Sequence, residues 1–329
     1  MWRNLTHGQP LNALKTPSDL FYGRCMRIYT HPTCTEHEVS PGHPERPERL
    51  TSLLHHLHET GLTQDYPLHE APQATFDDIL RAHPQSHLDF VRRMSPAEGV
   101  VALDPDTWMG PKSLPAAIFA AGAVCAGVDE LLNTDETRIF CAVRPPGHHA
   151  ESDAAMGFCI FNSIVIGALR ALKRTEIQRV AILDFDVHHG NGSVEICKDD
   201  PRVLVCSSFQ HPYYPHRFYD SDWPNIINTP LPAGSGSMEF RSAIERDWIP
   251  AVEQHQPDLI LVSAGFDAHQ MDPLAALNLD DADFTWVTDL IVAMAKEHTF
   301  GKIISVLEGG YDLKALGQSV TAHLKALAN

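Results

Sequence analysis

Three things are scarce in this sequence, and each scarcity removes a class of function. No Cys-x-x-Cys pair occurs. The cysteines are Cys25, Cys34, Cys125, Cys141, Cys159, Cys197 and Cys206, an odd number set mostly in apolar runs. That argues against a disulfide framework and a thiolate zinc site, and for buried free thiols. No block of Lys or Arg appears, and 25 basic residues face 42 acidic ones for a net charge of −17. A phosphate-binding face normally needs a basic patch, so direct nucleic-acid binding is not expected. No apolar run approaches the roughly 20 residues of a membrane helix, and the N-terminal stretch lacks the long apolar centre of a signal peptide. The expectation is a cytoplasmic protein without membrane contact. Its 329 residues, 43% hydrophobic and 20% charged, are enough for a sizeable globular core.

Strand-like runs recur at 27–31, 138–143, 179–186, 202–208, 258–266 and 302–310. Helical patterns lie between many of them, at 47–59, 111–132, 161–172, 240–254 and 283–297. Such alternation implies parallel pairing in a layered α/β domain. The segment "FQHPYYPHRFYDSDWPN" is too long and Pro-rich for a simple connection, so a loop bordering a site is expected. Residues 1–25 fit this pattern poorly and read as an arm of no assigned role. Residues 26–329 read as one catalytic domain.

The stretch "VAILDFDVHHGNG" runs from a strand buried on both faces into Asp184, Asp186 and His188, spaced by two. On an extended backbone these side chains leave on one side. Gly190 and Gly192 then read as a sharp turn. Three other strand-like runs also end in reactive residues beside glycines. They lead to His148 and His149, to Asp267, and to Tyr311. Ligands bind at the carboxyl ends of strands in open α/β sheets, so these groups can converge. Two carboxylates and one imidazole leave a coordination position open, the pattern of a catalytic divalent metal. A histidine of the pair suits general base and acid, and a tyrosine after two glycines suits an oxyanion donor. Metal, base and donor together describe hydrolysis of an amide or ester.

The blocks "RPPGHHAESDAAMGFCIFN", "DFDVHHGNG", "SAGFDAH" and "LEGGYD" resemble the signature blocks of the zinc-dependent histone deacetylase family, with its acetylpolyamine amidohydrolase relatives. The resemblance runs from about Met26 to the C-terminus. It implies the arginase-deacetylase α/β fold: a central, mostly parallel sheet of about eight strands flanked by helices on both faces. It makes Asp186, His188 and Asp267 the zinc ligands, His149 the general base and acid, and His148 its electrostatic partner held by Asp184. Tyr311 is implied to hydrogen-bond the scissile carbonyl. A structural potassium is implied at Asp184, Ser207 and the main chain of Asp186, His188 and Ser208. Phe158 and Tyr214 are implied as channel walls, Gly157 as a main-chain contact to the substrate amide, and Arg49 as lining a cavity for acetate.

Asn191 stands where class I deacetylases carry aspartate, as in class II and bacterial members. A neutral amide still orients the His149 ring but stabilises imidazolium less than a carboxylate would. The arginases, related to this family, bind two manganese ions. A second metal would want carboxylates at 190 and 269, where this chain has glycine and histidine, so one metal is expected. Iron(II) also suits the donor set. Leu274 matches a channel-mouth position that some polyamine-selective relatives fill with glutamate. An acylated lysine in a peptide or protein is therefore the expected substrate, with a small acetylated amine as the alternative. Asp104 is read either as a rim carboxylate for substrate backbone amides or as an N-cap. His55, His56 and His58 read as surface or groove residues, Tyr213 as a loop anchor, and Asp129 and Glu130 as solvated.

Overall fold

A computed structural model describes residues 26–329, so the reading of residues 1–25 as an arm lies outside the described part. The strands are β1 (Met26–Thr30), β2 (Leu68–Glu70), β3 (Val101–Ala102), β4 (Trp108–Met109), β5 (Arg138–Cys141), β6 (Val180–Asp184), β7 (Val203–Gln210), β8 (Ile226–Leu231), β9 (Leu259–Ala264) and β10 (Ile303–Leu307). Eight form one sheet in the order β2-β1-β5-β10-β9-β6-β7-β8, every neighbouring pair parallel. β3 and β4 make a separate antiparallel pair. All residues of β5, β6, β7, β9 and β10 are buried. Helices cover the sheet's faces, which is why these strands are continuously apolar rather than alternating. Each Val, Leu or Ile so enclosed contributes roughly 1.5–3 kcal/mol of transfer free energy.

Sequence order and sheet order diverge in a way that builds the site. β5, β10, β9 and β6 are consecutive in the sheet though up to 165 positions apart, from Arg138 to Ile303. Their carboxyl ends lead to the His148–His149 pair, Tyr311, Asp267, and Asp186 with His188. β7, next in line, leads to Tyr213 and Tyr214. The six strand runs read from sequence are β1, β5, β6, β7, β9 and β10. The edge strands β2 and β8 carry exposed or half-buried residues and lack the continuous apolar signal.

Three sequence expectations are corrected. The helix Ser113–Asn133 is long and apolar enough, by length and composition, to cross a membrane. Here it packs in the core, and its middle is buried all round, from Ala120 through Cys125. Gly190 does not turn the chain through positive φ: it stands at φ −74°, and Gly192 lies within the helix Asn191–Cys197. Their role is close approach, because a Cβ at 190 would sit 2.2 Å from Asp184 Oδ2 and one at 192 would sit 2.2 Å from the Ala150 carbonyl. Asp129 and Glu130 are paired rather than merely solvated. Asp129 takes Arg170 at 2.7 Å, and Glu130 takes Arg27 at 3.2 Å and the Tyr29 hydroxyl at 3.3 Å.

Candidate active site

β6 ends at Asp184, so strand alternation does not place Asp186 and His188. Each carboxylate instead accepts the amide two residues on: Asp184 Oδ1 that of Asp186 at 3.1 Å, Asp186 Oδ1 that of His188 at 2.9 Å. This Asx-turn chemistry bends the chain and parts the functions of the residues. Asp184 points back to His148 Nδ1 at 2.9 Å. Asp186 joins His188 and Asp267, and donor atoms of these three buried residues lie within 4.8 Å of one another.

His188 Nδ1 is 3.1 Å from both Asp186 Oδ1 and Asp267 Oδ2. Burial alone would keep this ring neutral, but its hydrogen bonds and the two carboxylate charges carry it up to about 10. A cation is what the two acids call for. The backbone is shaped around them, since a Cβ at Gly309 would lie 2.1 Å from Asp267 Oδ2 and one at Gly265 would lie 2.0 Å from Asp186 Oδ2. Gly309 also donates its amide to Asp186 Oδ2 at 2.8 Å, and Val187 donates to Asp267 Oδ1 at 3.0 Å. Backbone amides thus hold Asp267 by one oxygen and Asp186 by both, which orients the two carboxylates, and a nitrogen and two oxygens converge. This set fits a single divalent transition metal. His269 is turned away, with Nδ1 accepting from the Met271 amide at 3.1 Å and the ring lying 6.4 Å from Phe284.

His148 and His149 follow β5 on a loop anchored by Glu308, a buried acid that sequence reasoning missed although it stands in "LEGGYD". Its Oε2 accepts the amides of Gly147 at 2.6 Å and His148 at 3.2 Å. Burial raises the Glu308 carboxyl to about 7 against the opposing pull of His148. Burial disfavours charge on His148, but Asp184 and Asp186 override it and push its pKa well up. Burial, reinforced by the charges of His148 and His188, drives His149 well down. The second histidine is therefore a neutral ring. Its Nδ1 bonds Asn191 Oδ1 at 2.7 Å, which leaves Nε2 free to accept a proton.

Above the acids, aromatic rings gather from separate loops. Gly157 and Phe158 are the central residues of a tight turn from Met156 to Cys159, at φ 56° and 68°. Holding a phenylalanine left-handed costs about 1–2 kcal/mol. The turn presses against His149: a Cβ at Gly157 would lie 2.4 Å from its ring. The Phe158 ring stands 5.9 Å from Tyr311 and 4.6 Å from His43. Tyr214 stands edge-on to His149 at 5.3 Å, and Tyr213 stacks on His188 at 5.5 Å. The Tyr213 hydroxyl donates to the Leu274 carbonyl, bringing the half-buried Leu274 to this rim. Tyr213 is therefore a wall of the site as well as an anchor.

Tyr311 is buried, and burial pushes its hydroxyl well above the usual range, so it stays a donor. The Arg49 guanidinium lies 4.7 Å from its ring centroid and donates to the carbonyls of Glu308 and Gly310, both at 2.6 Å. Arg49 is fully buried and bonds Glu45, which Arg144 also engages. Ser207 and Ser208 lie beside Asp184: Ser207 Oγ accepts from Gly190, and Ser208 Oγ donates to the Asp184 carbonyl at 3.5 Å. Asp104 caps its own turn through one carboxylate oxygen: its Oδ1 accepts the amides of Asp106 at 2.9 Å and Thr107 at 2.7 Å. The acid of this loop that meets the Met156–Cys159 turn is Asp106, whose Oδ1 accepts the Gly157 amide at 3.0 Å. The pattern "DPDT" holds both acids, and only the turn geometry tells them apart.

Residues 43–327 match the histone deacetylase domain family. The chain belongs to the histone deacetylase family. Among its relatives is a histone deacetylase-like amidohydrolase of Pseudomonas aeruginosa, 37% identical over 280 residues that cover 83% of this chain and 73% of the relative. Histone deacetylase 14, chloroplastic, of Arabidopsis thaliana is 33% identical over 307 residues, covering 87% of this chain and 73% of that one. The crystal structure of the HDA15 HD domain superposes with a TM-score of 0.86 at 30% identity, covering 92% of this chain and 88% of that one. As a histone deacetylase family member, the chain is a hydrolase of acetyl amides, and the eight-stranded parallel sheet with its flanking helices is the arginase-deacetylase fold.

Proposed function

We propose that this enzyme removes acetyl groups from acyl-lysine side chains of peptides or proteins, with one zinc ion held by Asp186, His188 and Asp267. The observation that carries the substrate reading is the composition of the rim. Phe158, Tyr213, Tyr214 and Leu274 offer apolar surface suited to an aliphatic lysine stem. Asp272, two residues before Leu274, has its oxygens engaged by the amides of Tyr311 at 2.6 Å and Leu274 at 3.0 Å. None of Phe158, Tyr213, Tyr214 and Leu274 offers a charge to complement the distal ammonium of an acetylpolyamine, the alternative substrate.

Bound zinc supplies Lewis acidity, polarising the acyl carbonyl and making hydroxide accessible near neutral pH. The protein's own groups do the rest. His149 Nε2 takes a proton from the attacking water and returns it to the departing amine. His148, held cationic by Asp184, stabilises the charge that develops beside it. The Tyr311 hydroxyl donates to the carbonyl oxygen as it becomes an oxyanion. The Gly157 main chain lies where the substrate amide would pass, and Arg49 braces the loop that carries Tyr311 and borders the route by which acetate would leave. A structural potassium is proposed at Asp184, Ser207 and the main chain of Asp186, His188 and Ser208. The gathering of these groups supports it, with Ser207 Oγ accepting from the Gly190 amide and Ser208 Oγ 3.5 Å from the Asp184 carbonyl.

The test of the metal is elemental analysis followed by chelation and separate reconstitution with zinc and iron(II), with acetate release from an acetyl-lysine peptide as the readout. One equivalent per chain, restored by zinc, is expected. Two tightly bound transition metals per chain, or full activity after chelation, would overturn the assignment.

A further inference from the structure

We propose that Glu151 is a positioning residue that fixes the tautomer of His149 by locking the side-chain amide of Asn191. The inference rests on the reading of His149 as the base. An aspartate beside this ring would accept its Nδ1–H whichever way the carboxylate turned. Asparagine is not symmetric. With Oδ1 toward the ring, Nδ1 carries the proton and Nε2 is free to act as base. With the amide reversed, its NH2 would face Nδ1, the proton would sit on Nε2, and the base would have no lone pair for water.

Glu151 supplies the missing asymmetry. Asn191 Nδ2 donates to Glu151 Oε1 at 2.7 Å, while Asn191 Oδ1 faces His149 Nδ1 at the same distance. The Nδ2 atom also points at the His149 carbonyl, 3.3 Å away. Reversal would set the amide oxygen against a buried carboxylate and a carbonyl at once. Glu151 is only 4% exposed, and its second oxygen is held by Arg217 at 3.1 Å. A chain therefore runs from the partly exposed Arg217 on the loop after β7, through Glu151 and Asn191, to the base. Its glutamate stands two residues past that base in "HHAE". The carboxylate absent from position 191 is present one hydrogen bond farther out, acting through the amide rather than on the ring.

A double-mutant cycle with Asn191→Asp tests this. Glu151→Ala should lower kcat about 10-fold, the scale on which outer partners of a catalytic group act, with KM within twofold. Glu151→Gln, which keeps an oxygen in place, should recover most of that loss. In the Asn191→Asp background the sign should reverse. Residue 191 can no longer present the wrong atom, and Glu151→Ala removes a facing carboxylate, so kcat should hold or rise. An equal loss in both backgrounds would mark Glu151 as merely structural and overturn the proposal, as would a Gln variant no better than Ala. If Glu151→Ala does not fold, Glu151→Gln in the two backgrounds carries the same contrast of sign. His149→Ala separates the underlying reading: an active variant would dismiss His149 as base, whereas an inactive one with an additive cycle would dismiss Glu151 alone.

Discussion

The carboxylate of Asp272 accepts the amide hydrogens of Tyr311 at 2.6 Å and Asp312 at 3.3 Å. One buried acid thereby fixes the backbone that carries Tyr311, the proposed oxyanion donor. Tyr311→Phe should keep fold and metal and lower kcat by about 10²- to 10³-fold, the usual cost of one lost oxyanion donor. Asp272→Ala should also lower kcat in the native enzyme, but should cost little more once Tyr311 is Phe, because both changes remove the same interaction. Steady-state kinetics of the two single variants and the double variant check this. Additive losses would mean that Asp272 does not act through Tyr311.

A methyl group at position 309 should damage the metal centre without touching a ligand. Its Cβ would fall 2.1 Å from Asp267 Oδ2 and 2.6 Å from Asp186 Oδ2, closer than real carbon contacts allow. Gly309→Ala should therefore weaken metal retention and reduce activity by about 10- to 100-fold, the range for disturbed metal sites. Metal analysis after dialysis measures it. Full occupancy with native turnover would remove the glycine from the argument.

The two acids of "DPDT" should separate by mutation. Asp106→Ala leaves the Gly157 amide without its acceptor beside His149, so kcat/KM should fall about 10-fold, consistent with a lost charge-assisted hydrogen bond. Asp104→Ala removes a turn cap and should act mainly on stability, by about 1 kcal/mol. Kinetics and thermal unfolding of both variants decide between them. A larger kinetic loss at 104 than at 106 would restore the rim role to Asp104.

Most of the site could be read from sequence because its chemistry sits at strand ends beside glycines. Asp186, His188 and Asp267 were legible from their spacing and their position just past strand ends, although Asx turns rather than strand periodicity bring the first two together. What could not be read was whatever depends on which strands are neighbours. Glu308 and Asp272 hold backbone amides from distant segments, and their apolar surroundings gave no hint of a polar task. The glycines at 190 and 192 were misread because sequence does not distinguish a residue that must bend from one that must let another atom pass. Edge strands β2 and β8 escaped notice for a related reason: half-exposed strands need no continuous apolar run.

Stability should fall as the medium turns acidic, for a reason apart from the active site. Burial lowers the pKa of His83 and of His323 to about 3. His323 bridges Thr288 Oγ1 at 2.7 Å and Ser305 Oγ at 2.8 Å as a neutral ring. Unfolded, each histidine would titrate near 6.5. Between pH 6.5 and 3 the unfolded chain binds the extra protons, so each group's contribution is complete above 6.5 and lost as pH falls through that window. At pH 5 the loss is on the order of 2 kcal/mol per histidine. Urea unfolding at pH 7 and pH 5 should show a smaller difference for His83→Gln than for the native chain. An unchanged difference would exclude His83 as a source.

The central claim, deacetylation of acyl-lysine through an apolar rim, is tested most directly by measuring kcat/KM for acetate release from an acetyl-lysine peptide, N-acetylputrescine and N8-acetylspermidine. The same measurement on Leu274→Glu completes it. The peptide should be the better substrate of the native enzyme. The variant should narrow the gap by about 5- to 150-fold, since a partly desolvated ion pair with the distal ammonium is worth roughly 1–3 kcal/mol. The overall acidic charge is screened within about 8 Å at physiological salt, so it should not decide between the substrates. A native preference of tenfold or more for the acetylpolyamines, or no acetate released from the peptide, would contradict the account.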